Sequence, residues 1–329
     1  MNTEKHITSI GGQAIIEGVM MRGPFKTAMA VRKPDKEIEC KIQENGTKKR
    51  NKFFRLPIIR GCVNFIDSLI VGMKALMFSA EFMDIEDDEQ TESKFDKWLE
   101  DKLGDKIKDI VIYVAIALSL VMSVGLFILL PTAITQGLQW VFGKFGLEEF
   151  SGTSAFISTT EGIVKMMIFL TYMFLVSKME DIRRVFEYHG AEHKTIACYE
   201  AGEELTVENV KKHSRFHPRC GTNFLLFVMI VSIILYALLP KFDQETFGAI
   251  QRLLLRMGTR ILLLPIVAGV SYEIIKLAGR STNACVKFLT KPGLWLQRFT
   301  TREPDDSQIE VAIRSIEAVI PEDKESDRW

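Results

Sequence analysis

The chain has 329 residues, and its 42 basic and 42 acidic side chains cancel to no net charge. No whole-molecule field draws it to a polyanion, so nucleic-acid binding is disfavoured. A mean hydropathy of +0.10 beside 26% charged residues requires apolar and charged residues to occupy separate blocks, which indicates a membrane protein with sizeable aqueous parts. Five cysteines at 40, 62, 198, 220 and 285 form no C-x-x-C pair and leave one over, against a disulfide framework and for a reducing compartment.

In chain order, MNTEKHITSI lacks the basic and then apolar regions of a cleaved signal, so membrane targeting is expected from internal segments. Residues 1–60 read as a small strand-rich module. TAMAVRKP and EIECKIQ are separated by Pro34-Asp35, and Ile38, Cys40 and Ile42 alternate with Glu37, Glu39 and Lys41, the period of a half-buried strand. ENGTKKRNK is an expected exposed turn. Residues 61–109 comprise an amphipathic helix at 61–82, carrying Asp67 and Lys74, and the acidic linker MDIEDDEQTESK.

Residues 110–279 form an expected four-helix membrane domain. Ile110–Leu130 and Cys220–Leu239 are uncharged over lengths that reach across a bilayer core of ~30 Å. Phe156–Ser177 contains Glu161 and Lys165, and Leu253–Ala278 contains Arg256, Arg260, Glu273, Lys276 and a kinking Pro265. Interfacial anchoring is the favoured reading of these charges over buried functional pairs. Basic residues concentrate in the loop 178–219 and after residue 279, with only Lys144, Lys241 and Arg252 between the other spans. The positive-inside bias therefore puts both termini and the loop 178–219 in the cytoplasm. The tail 280–329 carries an amphipathic helix with a Ser307/Glu310 capping pattern and Ile309, Ile313, Ile316 and Ile320 on one face, expected to pack on the cytoplasmic module. The fold class is thus a mainly α membrane protein, with about four transmembrane helices and a small N-terminal strand-rich cytoplasmic module.

Chemistry concentrates in the loop 178–219. His189, Glu192 and His193 form H-x-x-E-H, in which two imidazoles one helical turn apart can chelate an ion while the carboxylate serves as base. HSRFHPRCGT adds His213, His217 and Cys220, with Pro218 forcing a turn that can fold back on the helix. Two His with a further His or Cys suit Zn²⁺, and Lys194, Arg215 and Arg219 nearby favour a Cys220 thiolate. Coordination closed by His189, His193, His217 and Cys220 would be structural; a position left open beside Glu192 would be catalytic.

GGQAIIEGVMMRGP (11–24), YHGAEHKTI (188–196), HPRCGTNFL (217–225), PGLWLQRFTTREPDD (292–306) and QIEVAI (308–313) together resemble the YqhQ-like family of bacterial polytopic membrane proteins. The likeness covers essentially the whole chain. It implies a bacterial cell membrane location, and the family label "predicted metal-dependent enzyme" implies ligands at His189 and His193, with His217 and Cys220 as further candidates. That label restates the histidine motif and supplies no substrate. In the opening motif, Glu17 and Arg22 read as an ion pair pinning a hairpin, or as a second shell to the histidine loop.

Three functions compete. The first is a Zn-dependent hydrolase acting on a peptide or lipid-linked substrate at the cytoplasmic face of the lipid bilayer, with Glu192 as base. The second is a non-enzymatic scaffold or membrane-protein assembly factor, with a structural metal or none. A transporter is the weakest, since no internal repeat accompanies the charges around the fourth span.

Overall fold

The computed structural model describes residues 6–46, 52–82, 107–239, 248–280 and 283–328; the acidic stretch 83–94 and the basic part of the turn at 47–51 lie outside them. Among the described residues are four strands, β1 (Gly11–Ile15), β2 (Gly18–Arg22), β3 (Lys26–Arg32) and β4 (Ile38–Glu44). The helices are α1 (Ile59–Ala80), α2 (Ile107–Val124), α3 (Leu130–Lys144), α4 (Glu148–Ser151), α5 (Ser154–Val176) and α6 (Glu180–Ala201), followed by α7 (Val207–Lys211), α8 (Gly221–Ala237), α9 (Ala249–Arg280), α10 (Ala284–Thr300) and α11 (Asp306–Glu317). The chain divides into two compact units, one of residues 1–83, 171–232 and 242–329, the other of 84–170 and 233–241.

In the first unit the strands form an antiparallel meander in sequence order. Val19, Met21, Ala28 and Ala30 face α6 and α11, where they meet Tyr188, Ala191, Ile309 and Ile316. Ile15, Met20, Met29 and Val31 face Ala75 and Phe78 of α1. A sheet covered on both sides has no polar face, so β2 and β3 read as unbroken apolar runs. Only the half-exposed edge strand β4 shows alternation, and its charges guard an open edge.

The β1–β2 hairpin turns on Ile16 and Glu17, with Ile15 opposite Gly18. Glu17 adopts φ 50°, a left-handed conformation that a non-glycine residue holds only with support. Arg184 of α6 supplies that support by donating to both carboxylate oxygens, joined by the Tyr188 hydroxyl at 3.2 Å. Glu17 therefore pins the hairpin to α6 rather than pairing within the hairpin, and Arg22 instead approaches Asp67 at 3.9 Å.

At the chain's end, α11 is capped two residues earlier than its Ser307/Glu310 pattern suggests. The Asp305 carboxylate accepts from the Gln308 amide at 2.9 Å, and the Gln308 side chain accepts from the Asp305 amide at 2.9 Å. Glu310 is drawn instead to Arg32 at 2.9 Å. The buried face includes Ile309, Val311, Ala312 and Ile316 and packs on β2, β3 and α6.

Among the described residues, four helical stretches are long and apolar enough to cross a membrane: Ile59–Ala80, Ala117–Lys144, Ala155–Val176 and Leu254–Gly279. This set differs from the four expected spans. The segment 61–82, read as an amphipathic helix on the bilayer or on the other helices, qualifies by length, whereas 220–239 yields only α8, whose 17 residues rise about 25 Å. Pro218 holds the chain in a turn before α8, which shortens the helix. The Ala117–Lys144 stretch continues from α2 into α3 through a π-helical turn at Gly125–Leu129.

Two of the charges in these helices have partners within their own unit. In the second unit Glu161 is only 2% exposed, with the Thr132 hydroxyl 3.5 Å from its carboxylate. In the first unit Glu273 of α9 accepts from Arg60 of α1 at 2.6 Å.

Candidate metal centre

Helix α6 is polar in composition yet largely buried. Glu180 and Asp181 in its first turn complement the helix dipole, and Gly202 at φ 72° closes it. The i, i+4 spacing places His189 and His193 on one side, with ring centroids 4.4 Å apart. Across from them the turn through Pro218 ends at Cys220, immediately before the first residue of α8. One donor atom from each of His189, His193 and Cys220 lies within 4.8 Å of the other two.

Both imidazoles are oriented by backbone carbonyls. His189 Nδ1–H donates to the Thr300 oxygen at 2.8 Å, and His193 Nδ1–H donates to the Arg215 oxygen at 2.6 Å. Each bond fixes the tautomer and turns Nε2 toward the thiol, the arrangement by which ligating histidines are held. His189 Nε2 is 3.2 Å from Cys220 Sγ, and the Thr222 hydroxyl donates to the same sulfur at 3.3 Å. His193 Nε2 is buried with no hydrogen-bond partner among the described residues. Left so, it carries a desolvation penalty of about 1–3 kcal/mol, which a cation on the three donors would remove.

Electrostatics divide these groups by role. Burial opposes charge on Cys220, but the His189 and His193 imidazoles hold its thiol well below the usual range, and the N-terminus of α8 acts in the same direction. Burial also works against a charged His189, yet the Cys220 thiolate raises it to about 9. Glu192 is raised above the ordinary carboxylate range by its burial, against the opposing pull of His189 and His193 and of the Gly12 N–H. One of its oxygens, Oε2, has no hydrogen-bond partner among the described residues. Gly12 of β1 approaches so closely that a Cβ there would stand 2.9 Å from the Glu192 side chain.

His217 lies beside this trio rather than within it. Its ring is 5.4 Å from that of His193, and its Nε2 accepts from Arg219 at 3.1 Å. Gln297 of α10 clamps its backbone, accepting from the amide at 2.8 Å and donating to the carbonyl at 2.7 Å. Arg219, expected beside the thiolate, forms a buried ion pair with Glu200 and donates to the Thr8 carbonyl. His213 belongs elsewhere, 3.2 Å from Glu203.

The orienting groups escape sequence reading because most are main-chain atoms: the Thr300 and Arg215 carbonyls and the Gly12 amide. Gly190 was legible as a small residue inside H-G-A-E-H. It lets the Arg302 carbonyl lie against α6 where a Cβ would otherwise be, and the Arg302 amide bonds the Phe186 carbonyl at 2.8 Å. That crossing brings Thr300 to His189.

Comparison with known proteins gives a family and no chemistry. The chain is 35% identical over 328 residues to "Uncharacterized protein YqhQ" of Bacillus subtilis (strain 168), covering 97% of this chain and 95% of that protein. No solved structure matches it. The family model described as "Protein of unknown function (DUF1385)" matches residues 56–322, and the chain belongs to that family.

Proposed function

We propose that the chain is a multi-pass protein of the bacterial cell membrane that acts as a Zn²⁺-dependent hydrolase at the cytoplasmic face. Its substrate would be a peptide or a lipid-linked molecule. The observation that carries the reading is the convergence of two oriented imidazole nitrogens on one thiolate, with His193 Nε2 left without a partner. His189, His193 and Cys220 would hold the ion, which supplies Lewis acidity to a bound carbonyl or phosphoryl group. Three protein ligands leave a fourth position open, the pattern of catalytic rather than structural zinc.

Glu192 is the base. Burial raises it above the ordinary carboxylate range, the direction that favours proton uptake, and its unpartnered oxygen stands on the same helical turn as the ligands. It takes a proton from water at Oε2, while the Gly12 amide steadies the carboxylate. Cys220 and the two histidines keep the donor set charged and oriented.

Membrane placement rests on the four long apolar helices and on α10. That helix turns Thr290, Leu296, Gln297 and Thr300 inward while exposing Phe288, Lys291, Trp295 and Arg298, a mixture of aromatic and basic residues suited to the headgroup layer. The charge rule puts the basic loop 178–219 and both termini in the cytoplasm, which requires 220–239 to cross the bilayer and Ile59–Ala80 to remain on the cytoplasmic side.

The test is metal analysis of the full-length protein purified in detergent, together with turnover of a panel of fluorogenic peptides and lipid esters. Zinc should be present, and His193→Ala and Cys220→Ser should each lose one equivalent. Glu192→Gln should keep the metal and lose turnover. Zinc unaffected by either ligand substitution, or full turnover in Glu192→Gln, refutes the hydrolase and favours the assembly-factor alternative.

A further inference from the structure

Outside the centre just described, one other group of metal-binding side chains converges among the described residues. Cys198 near the end of α6, Glu203 after it and His213 beyond α7 each offer a donor atom within 4.8 Å of the other two. We infer that this loop is a second divalent-cation site, of Zn²⁺ type, formed by the Cys198 thiolate, a Glu203 carboxylate oxygen and a His213 imidazole nitrogen.

The loop holds these side chains together without help from an ion, with Cys198 as a thiol that burial pushes up to about 11 and whose Sγ–H donates to the Glu204 carbonyl at 3.6 Å, a proton that an ion would displace. Gly202 reverses the chain in the left-handed region, with its amide on the Tyr199 carbonyl at 3.0 Å and the Glu203 amide on the Cys198 carbonyl at 3.3 Å. Glu203 is thereby folded back over the last turn of α6. The Thr206 hydroxyl caps α7 by accepting from the Asn209 amide at 3.3 Å, and the Asn209 side chain donates to the Glu204 carbonyl at 3.0 Å. Val210, fully buried, anchors α7 to the core. The His213 amide then bonds the Val210 carbonyl at 3.1 Å, which presents the imidazole to Glu203 at 3.2 Å.

The chemistry selects the ion. Thiolate and imidazole favour Zn²⁺ or Co²⁺ over Mg²⁺ and Ca²⁺, which prefer oxygen alone. Cys198 is buried while Glu203 is exposed, so an ion here would be reached from one side. The site is separate from the first although α6 serves both, because Cys198 lies five positions beyond His193 and about 140° around the helix.

Its role would be to staple the segment that orients the first centre. Lys211 at the end of α7 accepts the Lys194 ammonium on its carbonyl at 3.1 Å. Arg215, two residues past His213, provides the carbonyl that fixes the His193 tautomer. An ion at Cys198, Glu203 and His213 would restrain the intervening chain whether or not the first centre is catalytic.

The experiment loads the full-length detergent-purified protein with Co²⁺ and reads bound metal and thiolate-to-cobalt absorption in Cys198→Ser, His213→Gln and Cys220→Ser. Two ions are expected in the wild type; Cys198→Ser and His213→Gln should each lose one, Cys198→Ser removing about half of the thiolate band, one thiolate belonging to each site. Cys220→Ser should lose the other ion. Unchanged metal content in both Cys198→Ser and His213→Gln overturns the inference. If Cys198→Ser fails to fold at its buried position, His213→Gln decides alone, with retention of both ions as the overturning result. A single ion removed by Cys220→Ser and kept by His213→Gln refutes this site and spares the hydrolase reading; the reverse pattern does the opposite.

Discussion

Helices α6 and α8 are inverted with respect to polarity and burial. Helix α6 buries 11 of its 22 residues, among them Glu192, His193, Lys194 and Glu200, although its composition suits a surface. Helix α8 carries no charge at all, yet only Asn223, Leu226 and Phe227 of it are buried. In a protein bathed only by water the two would exchange places, since apolar stripes turn inward and ionisable groups outward. On the membrane reading lipid solvates the apolar helices, and the buried polar interior is where the fold keeps its chemistry. Two of these buried charges are matched by ion pairs. Lys194 reaches Glu303 at 2.8 Å, and Glu200 holds Arg219.

The comparison can be broken most severely at that last pair. Both side chains are 6% exposed, so Arg219→Met leaves an uncompensated carboxylate and should cost about 3–5 kcal/mol, seen as a lower denaturation midpoint in detergent. A loss under ~1 kcal/mol would mean that water reaches Glu200. The apolar side is probed by Leu262→Arg, at a side chain 77% exposed within the Leu254–Gly279 stretch. Surrounded by lipid, it should oppose insertion by roughly 2.5–3.5 kcal/mol, measured as the fraction of chain recovered in membranes. Surrounded by water, it should change almost nothing.

Gly190→Ala drives a methyl group into the Arg302 carbonyl and should cost about 1–3 kcal/mol, with loss of metal because Thr300 is displaced from His189. Thermal melting and metal content check it together. The smallest effect is expected at the α11 cap, where Asp305→Ala should cost about 1 kcal/mol. Partial burial opposes charge on Asp305, but the Ser307 hydroxyl and Gln308 amide hold its carboxyl below the ordinary value. Its contribution therefore stands above about pH 4 and is lost as the pH falls through that lower value. A mutant whose stability deficit persists unchanged to pH 2 would contradict this assignment.

Much of this organisation was open to reading from residue order. Pro34-Asp35 and the alternation of Ile38, Cys40 and Ile42 marked two strands, whereas β1 and β2 were hidden because a sheet covered on both faces loses its period-two signature. The H-x-x-E-H spacing and the Pro218 turn pointed to His189, His193 and Cys220. They pointed equally to His217, whose Nε2 the structure gives to Arg219, and they gave no sign that Cys198 would meet His213. Glu17 was legible as an anchor, but its partner was not, because Arg184 lies far along the chain.

Residue order alone marked the blocks: where apolar residues run together, where charge gathers, and that two imidazoles share a helical face. Those are local properties, dictated by periodicity and side-chain chemistry within a few turns. Tertiary structure decided which nitrogen points where. The carbonyls of Thr300 and Arg215 and the amide of Gly12 are main-chain groups that every residue carries, so only the path of the folded chain distinguishes the ones that orient His189, His193 and Glu192.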